Sequence, residues 1–130
     1  MKPEKAINVE TARELSANYN KTRAELHKSV LGKDDSNAVW YSLAELEEYI
    51  NYIKEEGAKK GYAVEGIRFY MGVYPDTAPN GHAGYTTLFL APTGKKAGDD
   101  TQEPFSRDIL DIEAMNFGSM GNPPKFEYGA

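Results

Sequence analysis

Apolar and small residues recur at Ala12, Leu15, Tyr19, Thr22, Leu26 and Val30, in steps of three and four that place them on one stripe of a helix. The spacing predicts a helix that begins at Asn8 or at Thr11, where Thr11 and Glu14 stand at capping-box distance, and that stops at Gly32. Residues 1–7 read as a flexible arm and "GKDDSN" as a polar link. "AVWY", residues 38–41, predicts a short strand. Ser42 and Glu45 then form a clearer capping box, directly before the stripe Leu43, Leu46, Ile50 and Ile53. Glutamates crowd the first turns of this second helix, and Lys59 and Lys60 close it, which suits the helix dipole at both ends.

Beyond Gly61 the period falls to two. Ile67, Phe69, Met71 and Val73 point one way, while Arg68, Tyr70, Gly72 and Tyr74 point the other. In "YTTLFLAP" the set Thr86, Leu88 and Leu90 alternates with Tyr85, Thr87 and Phe89. The ten residues "PDTAPNGHAG" between the two runs are too few for a helical crossover, so an antiparallel hairpin follows. "TGKKAGDDTQEPFSR" reads as a second long loop and "DILDIEAMNF" as a third strand. The order α-β-α-β-β-β predicts one α+β domain over residues 1–130: two helices packed on a small, mostly antiparallel sheet, with residues 116–130 as an extended tail.

Composition narrows the function. A chain of 130 residues that is 40% hydrophobic can bury a core without staples. It has no cysteine, so disulfides, thiolate zinc sites and thiol nucleophiles are excluded. The start "MKPEKAINVE" lacks an apolar signal core, and no run of the chain is long enough to span a bilayer. A cytoplasmic setting is expected. A net charge of −5 without a dense basic run argues against duplex DNA and against anionic membranes, and favours a basic partner.

Catalytic chemistry finds little support. Of the two histidines, His27 lies near a helix end, where a protonated ring suits the dipole, and His82 lies in the loop "PNGHAG". Asp99, Asp100, Asp108, Asp111 and Glu113 read as a solvated loop and strand edge that discourage aggregation. No catalytic residue, metal ligand or cofactor is expected. The aromatics are more informative. Tyr70, Tyr74, Tyr85 and Phe89 share a sheet face with Arg68, an arrangement that can stack bases, yet the RNA-recognition consensus is missing and the charge has the wrong sign. Either the first helix or the tail covers that face, or it is offered to a partner. The tail "NFGSMGNPPKFEYGA" carries Phe117, Met120, Phe126 and Tyr128 as anchors, and it either lies across the sheet or serves as a recognition loop.

The ordered blocks "VWYSLAELEEYINYIK", "GIRFYMGVYP", "TTLFLAPT" and "FGSMGNPP" resemble a set of small uncharacterised bacterial proteins, over a span from Ser36 to Pro124. The resemblance implies a self-contained domain in a bacterial cytoplasm, directs attention to "GNPP" and "VWYS" as surfaces, and brings no activity with it. The expected function is a non-catalytic protein- or ligand-binding domain whose surface is built from Arg68, Tyr70, Tyr74, His82, Tyr85, Phe89, Phe117 and Met120. The alternative is a small enzyme or small-molecule binder with a pocket around His82 and Arg68.

Overall fold

Asn8 starts the first helix, its Oδ1 accepting the Thr11 N–H at 2.7 Å. The computed structural model describes residues 1–100, 103–120 and 126–129, so the expectations placed on "GNPP" and on the Asn122–Pro123 bond lie outside it. The predicted single helix is broken at Thr22 into α1 (Val9–Lys21) and α2 (Arg23–Leu31). The cause is local. The Thr22 hydroxyl donates to the Asn18 carbonyl at 2.7 Å, and the Thr22 backbone leaves helical geometry with ψ at −80°. The stripe therefore changes direction at the break. Neither helix fully buries a residue, and Leu15, Leu26 and Val30 are exposed.

The second capping box forms as expected. Ser42 Oγ accepts the Glu45 N–H and Glu45 Oε1 accepts the Ser42 N–H, each at 3.0 Å, which starts α3 (Leu43–Lys60). Gly61, at φ 79°, ends it in a left-handed cap that a β-carbon would strain. β1 (Tyr62–Val73) and β2 (Thr86–Lys96) pair antiparallel from Tyr62 with Lys96 to Val73 with Thr86, around a bulge between Val64 and Gly66. β2 thus continues through residues that read as loop in the sequence, because Tyr62–Val64 extend the ladder past the bulge.

β3 (Arg107–Asp108) pairs with Gly94 and Thr93, giving the order β1-β2-β3. Two expected strands contract. "AVWY" keeps one bridge, Trp40 to Ser119, and the third strand continues beyond β3 only as the bridge from Met115 to Leu90. Pro92 explains the second contraction. Its carbonyl accepts the Ile109 N–H at 2.9 Å, but proline offers no N–H to the same neighbour, so the chain leaves the ladder after Ile109 and returns at Met115.

The fold is α+β, with α3 covering one face of an antiparallel sheet. Tyr49 and Ile53 from α3 meet Leu90, Ile109 and Ile112, and Leu90 is only 1% exposed. Burial pushes the Tyr49 phenol up to about 12, and its hydroxyl lies 2.9 Å from the Glu113 carbonyl and 3.1 Å from that of Leu90. A second cluster joins Tyr74, Tyr85 and Met120, with Leu31 and Ala78 packed against it.

Gly94 sits where β2 crosses the bulge. A β-carbon there would fall 2.0 Å from the Ala63 carbonyl oxygen, which is backbone and cannot rotate away. Gly94→Ala is therefore expected to cost about 2–3 kcal/mol as an overpacking defect, read as a lower urea midpoint at unchanged slope. An unshifted midpoint would show that the bulge relaxes freely.

Candidate functional site

Residues paired across β1 and β2 share a face, so the register fixes what each side of the sheet presents. Ile67, Phe69, Met71 and Val73 fall on the α3 side with Pro92, Leu90, Leu88 and Thr86. Arg68, Tyr70 and Gly72 fall on the other side, with Ala91, Phe89 and Thr87. On the first side α3 packs near Val64, Ile67 and Leu90 and leaves Phe69, Met71 and Val73 exposed, whereas on the second side Thr87 and Ala91 are buried.

At one end of the second side, Tyr70 stacks on Phe89 with ring centroids 5.1 Å apart. Arg68 donates to Asp108 at 2.6 Å and to the Ser106 carbonyl at 2.7 Å, and the Tyr70 hydroxyl donates to the other oxygen of Asp108. Both polar groups on this part of β1 are thus satisfied by the β3 segment, which leaves the rings as the free element. At the other end, Asn116 Oδ1 lies 3.0 Å from the Tyr74 hydroxyl and 3.1 Å from Thr87 Oγ1, and accepts the Phe117 N–H at 2.6 Å. Phe117 adopts φ 66°, uncommon for a bulky side chain, and its ring stacks on Tyr74 at 5.7 Å. His82 meets Tyr74 edge-on at 5.0 Å and turns Nδ1 to the Pro79 carbonyl at 3.0 Å.

Gly72 lies between the two ring clusters. A β-carbon there would meet Phe89 and Thr87 at 3.8–3.9 Å, ordinary contact distances, so a side chain could be added without a clash at its first atom. Beside the Tyr70–Phe89 pair is a cleft of about 440 Å³. Its far wall is the 109–114 excursion that Pro92 forces, with Ile109, Ile112 and Glu113 among its lining. This volume lies in the range of small-ligand pockets.

Of the eight expected residues, Arg68, Tyr70 and Phe89 form one cluster, and Tyr74, His82 and Phe117 another. Tyr74, Tyr85 and Met120 were expected at the surface, but they are core: they pack together, with Leu31 and Ala78 against them. The tail question resolves for the described residues. Ser119 and Trp40 exchange backbone hydrogen bonds at 2.6 and 2.7 Å, Met120 is buried, and Asn37 clamps the Phe126 backbone through two bonds of 2.8 Å. Arg68 and His82 do not share a pocket. Six residue steps lead from Arg68 to Tyr74, the neighbour of His82, about 20 Å at the strand rise.

One cluster went unread in the sequence. Asp35, in the expected polar link, is 7% exposed. Its Oδ1 accepts the N–H of Ser36 at 2.8 Å and of Thr86 at 2.7 Å, while Oδ2 accepts the Thr86 hydroxyl and lies 3.1 Å from His27 Nδ1. His27, expected near a helix end, lies in the middle of α2 and meets the Asp35 carboxylate instead. Tyr19, whose pKa burial raises and Asp35 raises further, places its hydroxyl 3.4 Å from the same ring nitrogen. The only local signal was the pairing of Asp with Ser, whose side chains favour backbone turns. Thr86 lies too far along the chain for any spacing rule to connect it.

No protein family, curated protein or solved structure matches this chain. Among the described residues no helix is long and apolar enough to cross a membrane.

Proposed function

We propose that this chain is a non-catalytic binding domain that holds a protein segment on its aromatic sheet face. The observation that carries the reading is the cleft of about 440 Å³ beside the stacked rings of Tyr70 and Phe89, lined mainly by apolar side chains. An apolar or aromatic side chain of the partner fits there, gaining stacking contact and losing hydration in one step. The partner is basic around that anchor. Glu113 lines the cleft with no cation in the lining among the described residues, and the whole chain carries −5. A bacterial cytoplasmic setting, suggested by the sequence blocks and the lack of cysteine, belongs to the same proposal.

Gly72→Val tests the face directly. The backbone there is compatible with a side chain, and valine favours strands, so the thermal midpoint should stay within about 3 °C. Random peptides displayed on phage and selected on the wild-type chain should converge on aromatic anchors flanked by Lys or Arg. They should bind Gly72→Val at least ~10-fold more weakly, about 1.4 kcal/mol. Selected peptides that bind both forms equally would place recognition elsewhere.

A further inference from the structure

We propose that β1 pairs antiparallel with β1 of a second copy of this chain, about a two-fold axis at Tyr70, joining two three-stranded sheets into one. The inference concerns the edge of the sheet and does not depend on the binding reading of its face.

Among the described residues, β1 has a hydrogen-bonded neighbour on one side only. Which of its backbone groups are left over follows from β2. Leu90 exchanges both backbone bonds with Met115, at 2.8 and 2.9 Å, so its N–H and C=O point away from β1. Phe69, opposite Leu90, must then turn its own N–H and C=O to the open edge. Alternation gives Ile67, Met71 and Val73 the same outward direction, and the Tyr74 N–H, bonded inward to Tyr85, confirms the parity. The same residues carry the exposed side chains: Phe69 is 60% exposed, and Met71 and Val73 are each 68% exposed.

Natural edge strands are guarded by lysine, proline, inward charges or bulges. From Gly66 to Val73 there is neither lysine nor proline. The single charge, Arg68, lies on the opposite face and is held by Asp108 and Ser106. The guards stand at the ends of this stretch: the bulge before Gly66 and Pro75 after the strand. They define how much edge can pair.

The stretch is complementary to itself. With the axis at Tyr70, Ile67 meets Val73 and Phe69 meets Met71, so every outward backbone group from Ile67 to Val73 finds a partner and apolar side chains meet apolar ones. Arg68 meets Gly72, which keeps like charges apart, and Tyr70 meets Tyr70. An axis at Phe69 would set Val73 against Glu65 in the bulge, and an axis at Met71 would set Ile67 against Pro75. That self-matching register is the reason to assign the edge to a second copy rather than to an unrelated peptide.

Analytical ultracentrifugation of the full chain across concentration tests the idea. The expected result is a reversible species of twice the 14.4 kDa monomer mass. Met71→Lys, at a position the monomer leaves exposed, should keep the circular dichroism spectrum and weaken association at least ~10-fold, because it brings an unpaired charge against Phe69 of the second copy. The register has its own readout in a chain without cysteine: Tyr70→Cys should cross-link to dimer on mild oxidation, while Glu65→Cys should not. A chain that stays monomeric to about 100 µM overturns the proposal, a millimolar Kd being too weak for a specific interface. A dimer indifferent to Met71→Lys overturns it too, as does cross-linking that favours Glu65→Cys.

Discussion

Asp35→Ala is expected to lower the thermal midpoint by roughly 10–15 °C, from a loss of about 3–4 kcal/mol. The carboxylate joins the end of the N-terminal helices to the start of β2. Removing it leaves the Ser36 and Thr86 N–H groups and the Thr86 hydroxyl without their acceptor in a site that water barely reaches. Each unsatisfied buried donor costs about 1–3 kcal/mol. The contact with His27 adds less, because that imidazole is 33% exposed and can be solvated when its partner is lost. His27→Ala should accordingly cost only about 1 kcal/mol, and Asp35→Asn, which keeps Oδ1 as an acceptor, should fall between the two. Differential scanning calorimetry of the three variants decides the matter. Equal losses for Asp35→Ala and His27→Ala would mean that the Asp35–His27 contact, not backbone satisfaction, is the stabilising element.

Truncation after Met115 is expected to have the largest effect, a fall of roughly 15 °C or more. The cut removes Met120 from the cluster around Tyr74, a burial worth about 2–3 kcal/mol. It also removes the Ser119–Trp40 backbone pair, the Asn116 contact to Tyr74 and the Asn37–Phe126 clamp, each worth about 1 kcal/mol net. Gly118 shows how closely the two segments approach, since a β-carbon there would stand 2.4 Å from Val39 Cγ1. Met120→Ala separates packing from the rest and should account for about half of the loss. A truncated chain that melts with the full one would mean that these contacts do not persist in solution, and Phe117 would then leave the candidate site.

These expectations come from different depths of the sequence. Ser42, Glu45, Leu46 and Ile53 declare α3 within a few turns, and the two-residue period from Ile67 to Val73 declares β1, because caps and periodicity are local consequences of backbone geometry. The hairpin followed from loop length. Tyr70 and Phe89 could be placed on one face from alternation alone, and they stack there. The break at Thr22 was harder to read, since a threonine within a helical pattern usually points its hydroxyl outward or back along the helix without ending it.

The sequence by itself determined the α+β class, the capped central helix, the antiparallel hairpin and the aromatic side of the sheet. Only the tertiary structure decided that Tyr85 and Met120 are core, that Asp35 is a buried junction, and that Pro92 bends the chain away to open a cleft beside Tyr70. The physical reason is range. Period and capping are set by neighbours within a turn or a pleat, whereas burial, and the partner of a lone carboxylate, depend on which distant segment arrives to cover it.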